Sequence, residues 1–347
     1  MSRIQCIGIV SLSSGMLGED FAKAQMELGL RRLSEYGVRV KFMPNALKGI
    51  SYLNEHPEAR AADLISAFRD PEVDLILTAI GGDDTYRLLP YLFGNGELQA
   101  ALTNKLFMGF SDTTVNHLML HKLGLPSLYG QAFLTEVCEL GKEMLPYSRK
   151  CFEELLETGR IAEVTPSELW YEERTSYGPE QMGVAPVSHP NRGFELLQGP
   201  PIFSGKILGG CIDTLFDLFD PGRYADSPSV CAAYGLFPPA EDWRGRILLL
   251  ESSEERPSPE RYRAALNHLK DAGVLDAVSG ILVGKPQNEV YDAEYRALLV
   301  EAVADPNKPI LCNLPIGHAL PRCILPFGIP CTVDAEKQKI SFCWDTK

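Results

Sequence analysis

Residues 106–124 have the sequence LFMGFSDTTVNHLMLHKLG, in which a short apolar run gives way to a helical pattern. Leu106 to Phe110 is apolar almost throughout, which is typical of a buried parallel strand. Thr113 to Leu123 is predicted to be a helix that ends at Gly124, with Pro126 just beyond it. Because a strand that leads directly into a helix is the repeating unit of a covered parallel sheet, this stretch predicts an α/β fold.

The flanking sequence repeats the alternation. Ile4 to Val10, Val38 to Met43 and Leu75 to Ile80 are predicted strands, and helical patterns separate them. The composition changes after residue 160, since residues 165–205 are rich in Pro, Gly, Tyr and Glu and show no clear helix. Strand patterns return at Arg246 to Leu250 and Ser279 to Val283. We therefore predict a domain boundary at about residues 160–180 and divide the chain into 1–165, 166–190 and 191–347.

Composition excludes several classes of protein. The 347 residues include 33 Lys and Arg against 46 Asp and Glu, a formal net charge of −13. This balance argues against a partner that is a nucleic acid or an anionic membrane, and no apolar run is long enough to span a bilayer. The nine Cys include no Cys-x-x-Cys pair, which favours free thiols in a reducing cytoplasm over disulfides or a zinc site.

Ser111 is a candidate nucleophile. It lies in Gly109-Phe110-Ser111-Asp112-Thr113, where the predicted strand meets the predicted helix. A serine on such a sharp turn lies beside free backbone N–H groups, which suits acyl transfer through an oxyanion hole. The motif lacks the last Gly of a complete G-x-S-x-G elbow, and the alternative is that these residues only cap the helix.

Gly81-Gly82 follows the predicted strand Leu75 to Ile80 and could donate N–H groups to an anion. A tight turn capped by Asp is the plainer alternative. The turn also resembles the Gly-Gly-Asp-Gly-Thr phosphate loop of NAD and lipid kinases, but Asp84 occupies the place of the third Gly. Because a carboxylate there repels phosphate, we discount the kinase interpretation.

His318 and Glu251 complete a set of catalytic residue types. His318 lies in a Gly-flanked loop and is a candidate general base, with a structural histidine as the alternative. Glu251 ends an apolar strand, where a carboxylate can orient an imidazole. Its neighbours Glu254 and Glu255 are expected to lie in solvent. His117 and His121 have metal-binding spacing, but they lack the Glu of H-E-x-x-H and more simply form a helix face.

Taken in order, these segments resemble the LD-carboxypeptidase and microcin C immunity protein family of serine peptidases. The matching segments are Ser11 to Ser14, Gly81-Gly82, Gly109 to Thr113, Tyr129-Gly130, Lys206 to Thr214, Leu250-Glu251, Gly317-His318 and Pro326 to Gly328. One position departs from the family pattern, because Gly-Gly-Asn-Leu is replaced here by Gly209-Gly210-Cys211-Ile212. The lost amide puts substrate contacts of that loop in doubt.

The resemblance implies a Rossmann-like parallel-sheet N-terminal domain with the nucleophile and a smaller, β-rich, swivelling C-terminal α/β domain with the Glu and His. Carried over position by position, Ser111 is the expected nucleophile, His318 the general base and Glu251 its orienting acid. The backbone N–H groups of Gly81, Gly82 and Asp112 are the expected oxyanion hole. The resemblance also implies a metal-independent homodimer without a cofactor.

Two substrates are known for the family that the sequence resembles. LD-carboxypeptidases cut a peptidoglycan peptide between an L- and a D-centre, and immunity proteins cut the amide that joins a peptidyl aspartate to a modified nucleotide. The aromatic loop from Trp170 to Phe194 could stack on a nucleobase or only pack on the body of the protein. We expect a peptidyl-nucleotide, with the peptidoglycan tetrapeptide as the alternative. The residues expected to contact substrate are Trp170, Tyr177, Arg192 and Lys206.

Overall fold

The strands of the computed structural model, which describes residues 3–344, follow the predicted alternation. In chain order they are β1 Cys6–Val10, β2 Arg39–Phe42, β3 Leu75–Thr78, β4 Leu106–Gly109, β5 Ser127–Tyr129, β6 Glu163–Val164, β7 Leu169–Tyr171, β8 Ser188–Pro190, β9 Glu195–Gln198, β10 Ile202–Cys211, β11 Arg246–Glu251, β12 Gly280–Gly284, β13 Ile310–Leu314, β14 Leu325–Phe327, β15 Pro330–Asp334 and β16 Lys339–Phe342. The interior strands β1, β3, β4, β12 and β13 are buried along their whole length. A strand buried on both faces needs apolar residues at every position, which explains the continuous apolar runs of the sequence.

Helices cover this sheet. In chain order they are α1 Lys23–Glu35, α2 Ile50–Glu55, α3 Pro57–Arg69, α4 Leu89–Phe93, α5 Glu97–Ala101, α6 Thr114–Lys122, α7 Pro146–Thr158, α8 Ile212–Asp217, α9 Ser227–Ala233, α10 Pro259–Asp271, α11 Val274–Ala277 and α12 Asp292–Val303. Helices α3, α7 and α10 begin with Pro, whose fixed φ suits the first helical position. The Ser258 side chain caps α10 by accepting from the Arg261 N–H.

The sheet continues from the first half of the chain into the second. Its strand order is β2-β1-β3-β4-β5-β14-β10-β11-β12-β13-β9, and β15, β16 and β6 extend it from β10. The neighbouring pairs from β2 to β5 are parallel, as are those from β14 to β13. The two sets meet where β14 runs antiparallel to β5, with Leu325 opposite Tyr129. The predicted α/β class with a mostly parallel sheet is therefore confirmed.

The core follows the sheet. Buried apolar side chains form one continuous cluster that extends from Ile4 to Phe342. The segment that lacks a helical pattern forms a small hairpin, in which β7 pairs antiparallel with β8 outside the main sheet. Within residues 3–344, no helix has the length and apolar character needed to cross a membrane. The division into residues 1–165, 166–190 and 191–347 stays a prediction, since one sheet spans both halves.

Candidate active site

Ser111 lies on a strained turn at the end of β4. It opens a single 3-10 turn, Ser111–Thr113, that leads into α6, and its φ is +64°. A left-handed backbone is uncommon for any residue other than glycine, and such strain is concentrated at functional sites. The Ser111 Oγ lies 3.0 Å from the Nε2 of His318. The turn therefore presents the hydroxyl directly to an imidazole.

Glycines make room for this turn. A Cβ at Gly81 would lie 2.7 Å from the Cβ of Ser111 and 2.9 Å from its Oγ. The backbone at Gly81 therefore passes close to the Ser111 hydroxyl, and a side chain at Gly81 would push Ser111 aside. Within residues 3–344, the hydrogen bonds include none from the N–H groups of Gly81, Gly82 or Asp112. These groups are free to bind a ligand oxygen beside Ser111.

Asp112 ties the two glycines to the Ser111 turn. Its carboxylate accepts the backbone N–H of Thr85 at 3.1 Å, four residues after Gly81. Burial raises the pKa of Asp112 to about 6, because removal from water disfavours the charged form. Asp84 points elsewhere, since its carboxylate pairs with Arg60 at 2.7 Å and Arg87 at 2.9 Å. Two carboxylates thus hold the segment that follows the Gly-Gly turn, and their negative charges disfavour a phosphate there.

His318 lies in the loop that follows β13 and is held by Glu251. The His318 Nδ1 lies 2.7 Å from the Oε2 of Glu251, the last residue of β11. Although burial by itself lowers the pKa of His318, the carboxylates of Glu251 and Glu254 raise it to about 10. The ring of Phe110 packs edge-on against the imidazole with centroids 5.3 Å apart. The ring is therefore oriented from one side by charge and from another by packing.

Glu251 is buried and has a second donor. The Tyr129 hydroxyl, from β5, donates to the Glu251 Oε1 at 2.6 Å. Tyr129 in turn accepts the backbone N–H of Ser111 at 3.2 Å. Burial and the Glu251 charge raise the pKa of Tyr129 well above its usual value, so the phenol keeps its proton. Tyr129 lies in a segment that resembles the family, but its sequence context predicts no role for it. The structure connects it to both Ser111 and Glu251.

Gly317 permits the close approach of the His318 loop to Glu251. Its φ is +87°, and a Cβ there would lie 2.4 Å from the Glu251 Oε2 and 2.6 Å from the Glu251 Cβ. We expect Gly317→Ala to displace both groups and to slow fluorophosphonate labelling of Ser111 by at least about 100-fold, since misplacement of catalytic groups by about 1 Å has this effect. The control is Gly37→Ala, because Gly37 has φ +69° and open space around its Cβ position. Equal labelling rates in the two variants would contradict the argument.

Cys211 ends β10 beside the same groups. Its Sγ and ligand atoms of Glu251 and His318 all lie within 4.8 Å of one another. Burial and then the Glu251 charge raise the pKa of the Cys211 thiol well above its usual value. A protonated thiol is a poor metal ligand, and Glu251 and His318 already form a hydrogen bond with each other. Cys211 therefore contributes a neutral thiol to the lining of the cleft, at the position where the resemblance implies an Asn amide.

His117 has a structural environment. Its Nδ1 lies 2.7 Å from the Ser127 Oγ and its Nε2 lies 3.0 Å from the Gly109 carbonyl oxygen. Burial lowers the pKa of His117 to about 4, so the ring is neutral at pH 7. It supports the end of β4 just before Ser111.

A cleft opens over Ser111. Its walls come from both halves of the chain, and they include Gly82, Asp112, Thr214, Arg223 and Glu254. Arg223 pairs across the cleft with Asp83 at 2.5 Å and with Glu255 at 3.2 Å. A substrate that reaches Ser111 must pass these charged groups.

The predicted substrate contacts are not part of this cleft within residues 3–344. Trp170 stacks on His189 with centroids 4.4 Å apart, and the Lys285 Nζ lies 4.8 Å from its ring centroid. Tyr177 is exposed and donates to Glu173. Arg192 pairs with Glu195 at 3.1 Å and is 64% exposed.

Lys206 lies outside this cleft. It lies on β10 opposite Arg246, five residues before Cys211, and lines a separate groove with Arg244 and Arg246. An extended chain rises about 3.3 Å per residue, so Lys206 lies roughly 16 Å along the strand from the triad end. Lys206 and Cys211 thus share a strand, but only the Cys211 end of that strand lines the cleft.

Both halves of this chain are similar to known proteins. Residues 7–130 match the LD-carboxypeptidase N-terminal domain, and residues 204–333 match the LD-carboxypeptidase C-terminal domain. The chain is 27% identical over 317 residues to the murein tetrapeptide carboxypeptidase of Pseudomonas aeruginosa, which covers 90% of this chain and 89% of that protein. It is 25% identical over 294 residues to the microcin C7 self-immunity protein MccF of Escherichia coli, covering 81% and 77% respectively.

Two solved structures extend the comparison. An MccF-like protein from Streptococcus pneumoniae, in complex with AMP, has a TM-score of 0.97 and 55% sequence identity, covering 99% of this chain and 100% of that chain. MccF in complex with aspartyl sulfamoyl adenosine has a TM-score of 0.79 and 22% identity, covering 99% and 97%. The second likeness shows the shared fold alone.

Proposed function

The chain belongs to the LD-carboxypeptidase family of serine peptidases, and from this premise we propose that it hydrolyses an amide bond with Ser111 as the nucleophile, His318 as the general base and Glu251 as the acid that orients His318. One observation carries the proposal. The hydrogen-bonded series Ser111 Oγ, His318 Nε2, His318 Nδ1 and Glu251 Oε2 has distances of 3.0 and 2.7 Å. This is the order of groups that activates a serine for acyl transfer.

The reaction follows from these contacts. The Ser111 Oγ attacks the substrate carbonyl carbon while its proton moves to the Nε2 of His318. The N–H groups of Gly81, Gly82 and Asp112 hold the oxyanion, because they are free donors beside Ser111. His318 then protonates the leaving nitrogen, and water attacks the acyl-enzyme with His318 as the base. Glu251 stabilises the imidazolium in both steps.

The substrate we propose is a peptidyl-nucleotide or a related aminoacyl-nucleotide amide. Two relatives support it, since the Streptococcus pneumoniae protein was solved with AMP and MccF with aspartyl sulfamoyl adenosine. In this chain, contacts with His189 and Lys285 compete with a nucleobase for the faces of Trp170. We propose that Trp170, Tyr177 and Arg192 contact the substrate outside this cleft, whereas the position of Lys206 along β10 does not favour such a contact. A homodimer and a cytoplasmic location stay predictions.

A paired assay tests the substrate. We expect the enzyme to release aspartate from aspartyl sulfamoyl adenosine and to leave the peptidoglycan L,D-tetrapeptide intact, as measured by mass spectrometry of both reactions. The Ser111→Ala variant serves as the control for contaminating hydrolases. Cleavage of the tetrapeptide alone would support the alternative of an LD-carboxypeptidase in cell-wall recycling. Cleavage of neither compound would contradict both substrate classes.

A further inference from the structure

The Nε2 of His318 has one hydrogen-bond partner and one ion-pair contact in this structure. The hydrogen-bond partner is the Ser111 Oγ at 3.0 Å, and the ion-pair contact is the Glu254 Oε2 at 2.9 Å. Glu254 lies in the loop between β11 and α10, three residues after Glu251. The imidazole therefore lies between two carboxylates, one on each ring nitrogen.

These contacts belong to different protonation states. The Glu254 Oε2 is an ion-pair contact by distance and not one of the hydrogen bonds of Nε2, but a carboxylate this close favours a proton on that nitrogen. A general base must instead offer the Nε2 lone pair to the Ser111 hydroxyl. One ring nitrogen cannot do both at once, and the Nδ1 proton is already held by Glu251. Two carboxylates this close favour the imidazolium, and an imidazolium cannot deprotonate Ser111.

We propose that Glu254 is a positioning residue that holds His318 protonated in the free enzyme and must leave Nε2 before Ser111 can attack. The inference rests on the proposed function of the triad. As the Glu254 carboxylate moves away, the Nε2 proton passes to water and the lone pair turns to the Ser111 hydroxyl. No covalent bond to Glu254 forms or breaks. Glu254 acts only through His318.

The structure leaves Glu254 free to move. Its side chain is 62% exposed, whereas that of Glu251 is completely buried. It lines the cleft beside Ser111, so a bound substrate competes for the space that it occupies. The contact with His318 lowers the pKa of Glu254 to about 2, and the charge of Arg223 adds a smaller lowering. Once the His318 contact is lost, the Arg223 charge still favours the carboxylate form of Glu254.

Other groups near His318 do not explain the contact. From its own loop, the Arg322 guanidinium donates to the carbonyl oxygens of Gly317 and His318 and pairs with Glu136. On the segment after β7, burial raises the pKa of Glu173, and the charge of His318 lowers it by a smaller amount. The remaining neighbours are neutral: the Cys211 thiol from β10, the Tyr129 phenol from β5 and the Phe110 ring. Glu254 is therefore the removable charge on Nε2.

The Glu254 charge affects how the activity depends on pH. Both carboxylates raise the pKa of His318, so the free enzyme gains its active, neutral imidazole only as the pH rises. Removal of the Glu254 charge lowers that pKa, and the acidic limb of the pH profile moves to lower pH. A nearby opposite charge shifts a pKa by about 1–3 units. Because a base of lower pKa is also a weaker base, we expect a net gain of about tenfold at pH 7.

The test compares Glu254→Gln with Glu255→Gln, which removes the same charge one residue further on. Glu255 pairs with Arg223 at 3.2 Å, and it does not contact His318. We would measure the second-order rate of Ser111 labelling by a fluorophosphonate between pH 5 and pH 10. We expect the limb to move down by at least about one unit in Glu254→Gln only. Identical limbs in the two variants would overturn the proposal.

A second readout separates this inference from the triad itself. The titration of the His318 ring is followed by NMR in the Ser111→Ala background, where no nucleophile is needed. We expect Glu254→Gln to lower the His318 pKa and Glu255→Gln to leave it in place. If Ser111 is never labelled but His318 still responds to Glu254, the proposed function fails and the contact stands. If His318 titrates alike in both variants, the role of Glu254 is refuted whatever Ser111 does.

Discussion

Replacing Ser111 with alanine is expected to lower hydrolysis by at least about ten-thousandfold, because loss of the nucleophile of a triad removes most of its catalysis. This corresponds to about 5.4 kcal/mol of transition-state stabilisation. The fold should survive, since alanine meets the same backbone strain at φ +64° and only the hydrogen bond to His318 is lost. Such a bond contributes about 1 kcal/mol to stability. Initial rates and thermal unfolding of the same preparation provide both measurements.

The chain contains a matched control for this variant. The Ser127 Oγ also bonds a buried histidine, His117, at 2.7 Å. Ser127→Ala therefore removes a comparable serine–histidine bond outside the cleft, and its cost should appear in stability and not in turnover. If Ser111→Ala retained more than a small fraction of the wild-type rate, or if the two variants lost activity equally, Ser111 would not be the nucleophile.

The parts of the site that were predictable lie at strand ends. Ser111, Glu251 and His318 each follow an apolar strand, and the carboxyl ends of parallel strands are where open α/β sheets place their ligands. The turn at Ser111 was also expected, because a strand that meets a helix within three residues needs a sharp bend. The structure places these three side chains in one hydrogen-bonded series, and their catalytic roles, which the resemblance implies, stay a prediction.

Other parts depend on contacts that no local pattern contains. The pairing of β14 with β5 joins Leu325 to Tyr129 across nearly two hundred residues, and it creates the continuous sheet. Tyr129 reaches Glu251 only through that pairing. Glu254 was expected in solvent, and its side chain is indeed exposed, but the loop after β11 also brings it to His318. The residue type alone predicts that Glu254 is exposed, whereas its contact with His318 depends on the fold.

Glu251→Gln is expected to lower turnover by about a thousand- to ten-thousandfold, as for other triads that lose their carboxylate. Glutamine has nearly the same shape but one acceptor oxygen in place of two. Two donors compete for it, because the Tyr129 hydroxyl and the His318 Nδ1–H each bond a separate oxygen of Glu251. The amide nitrogen must face either Tyr129 or His318. Tyr129 could accept from it only by turning its own proton towards Thr114 Oγ1, 3.4 Å away, while its oxygen still accepts the Ser111 N–H.

Either orientation harms the site. If the amide N–H₂ faces His318, Nδ1 must accept, and the single ring proton moves to Nε2, where the base needs its lone pair. If it faces Tyr129, the phenol proton must turn to the more distant Thr114 Oγ1, and the hydroxyl that also accepts the Ser111 N–H is displaced. The pH profile distinguishes this loss from a general disruption of the fold. Removal of the Glu251 charge also lowers the His318 pKa. The acidic limb of the pH–rate profile should therefore move to lower pH while the plateau rate falls.

Loss of either carboxylate should move the acidic limb of the pH–rate profile to lower pH, but the two losses should affect the plateau differently. Glu251→Gln and Glu254→Gln each remove one negative charge within hydrogen-bond distance of His318, at 2.7 and 2.9 Å. A purely electrostatic role would give both variants the same profile. Because Glu251 holds the nitrogen that must keep its proton and Glu254 holds the nitrogen that must lose it, we expect the plateau to collapse in the first variant and to persist in the second. Parallel pH–rate profiles would decide this, and a plateau that fell equally in both would show that the position of each charge around the ring does not matter.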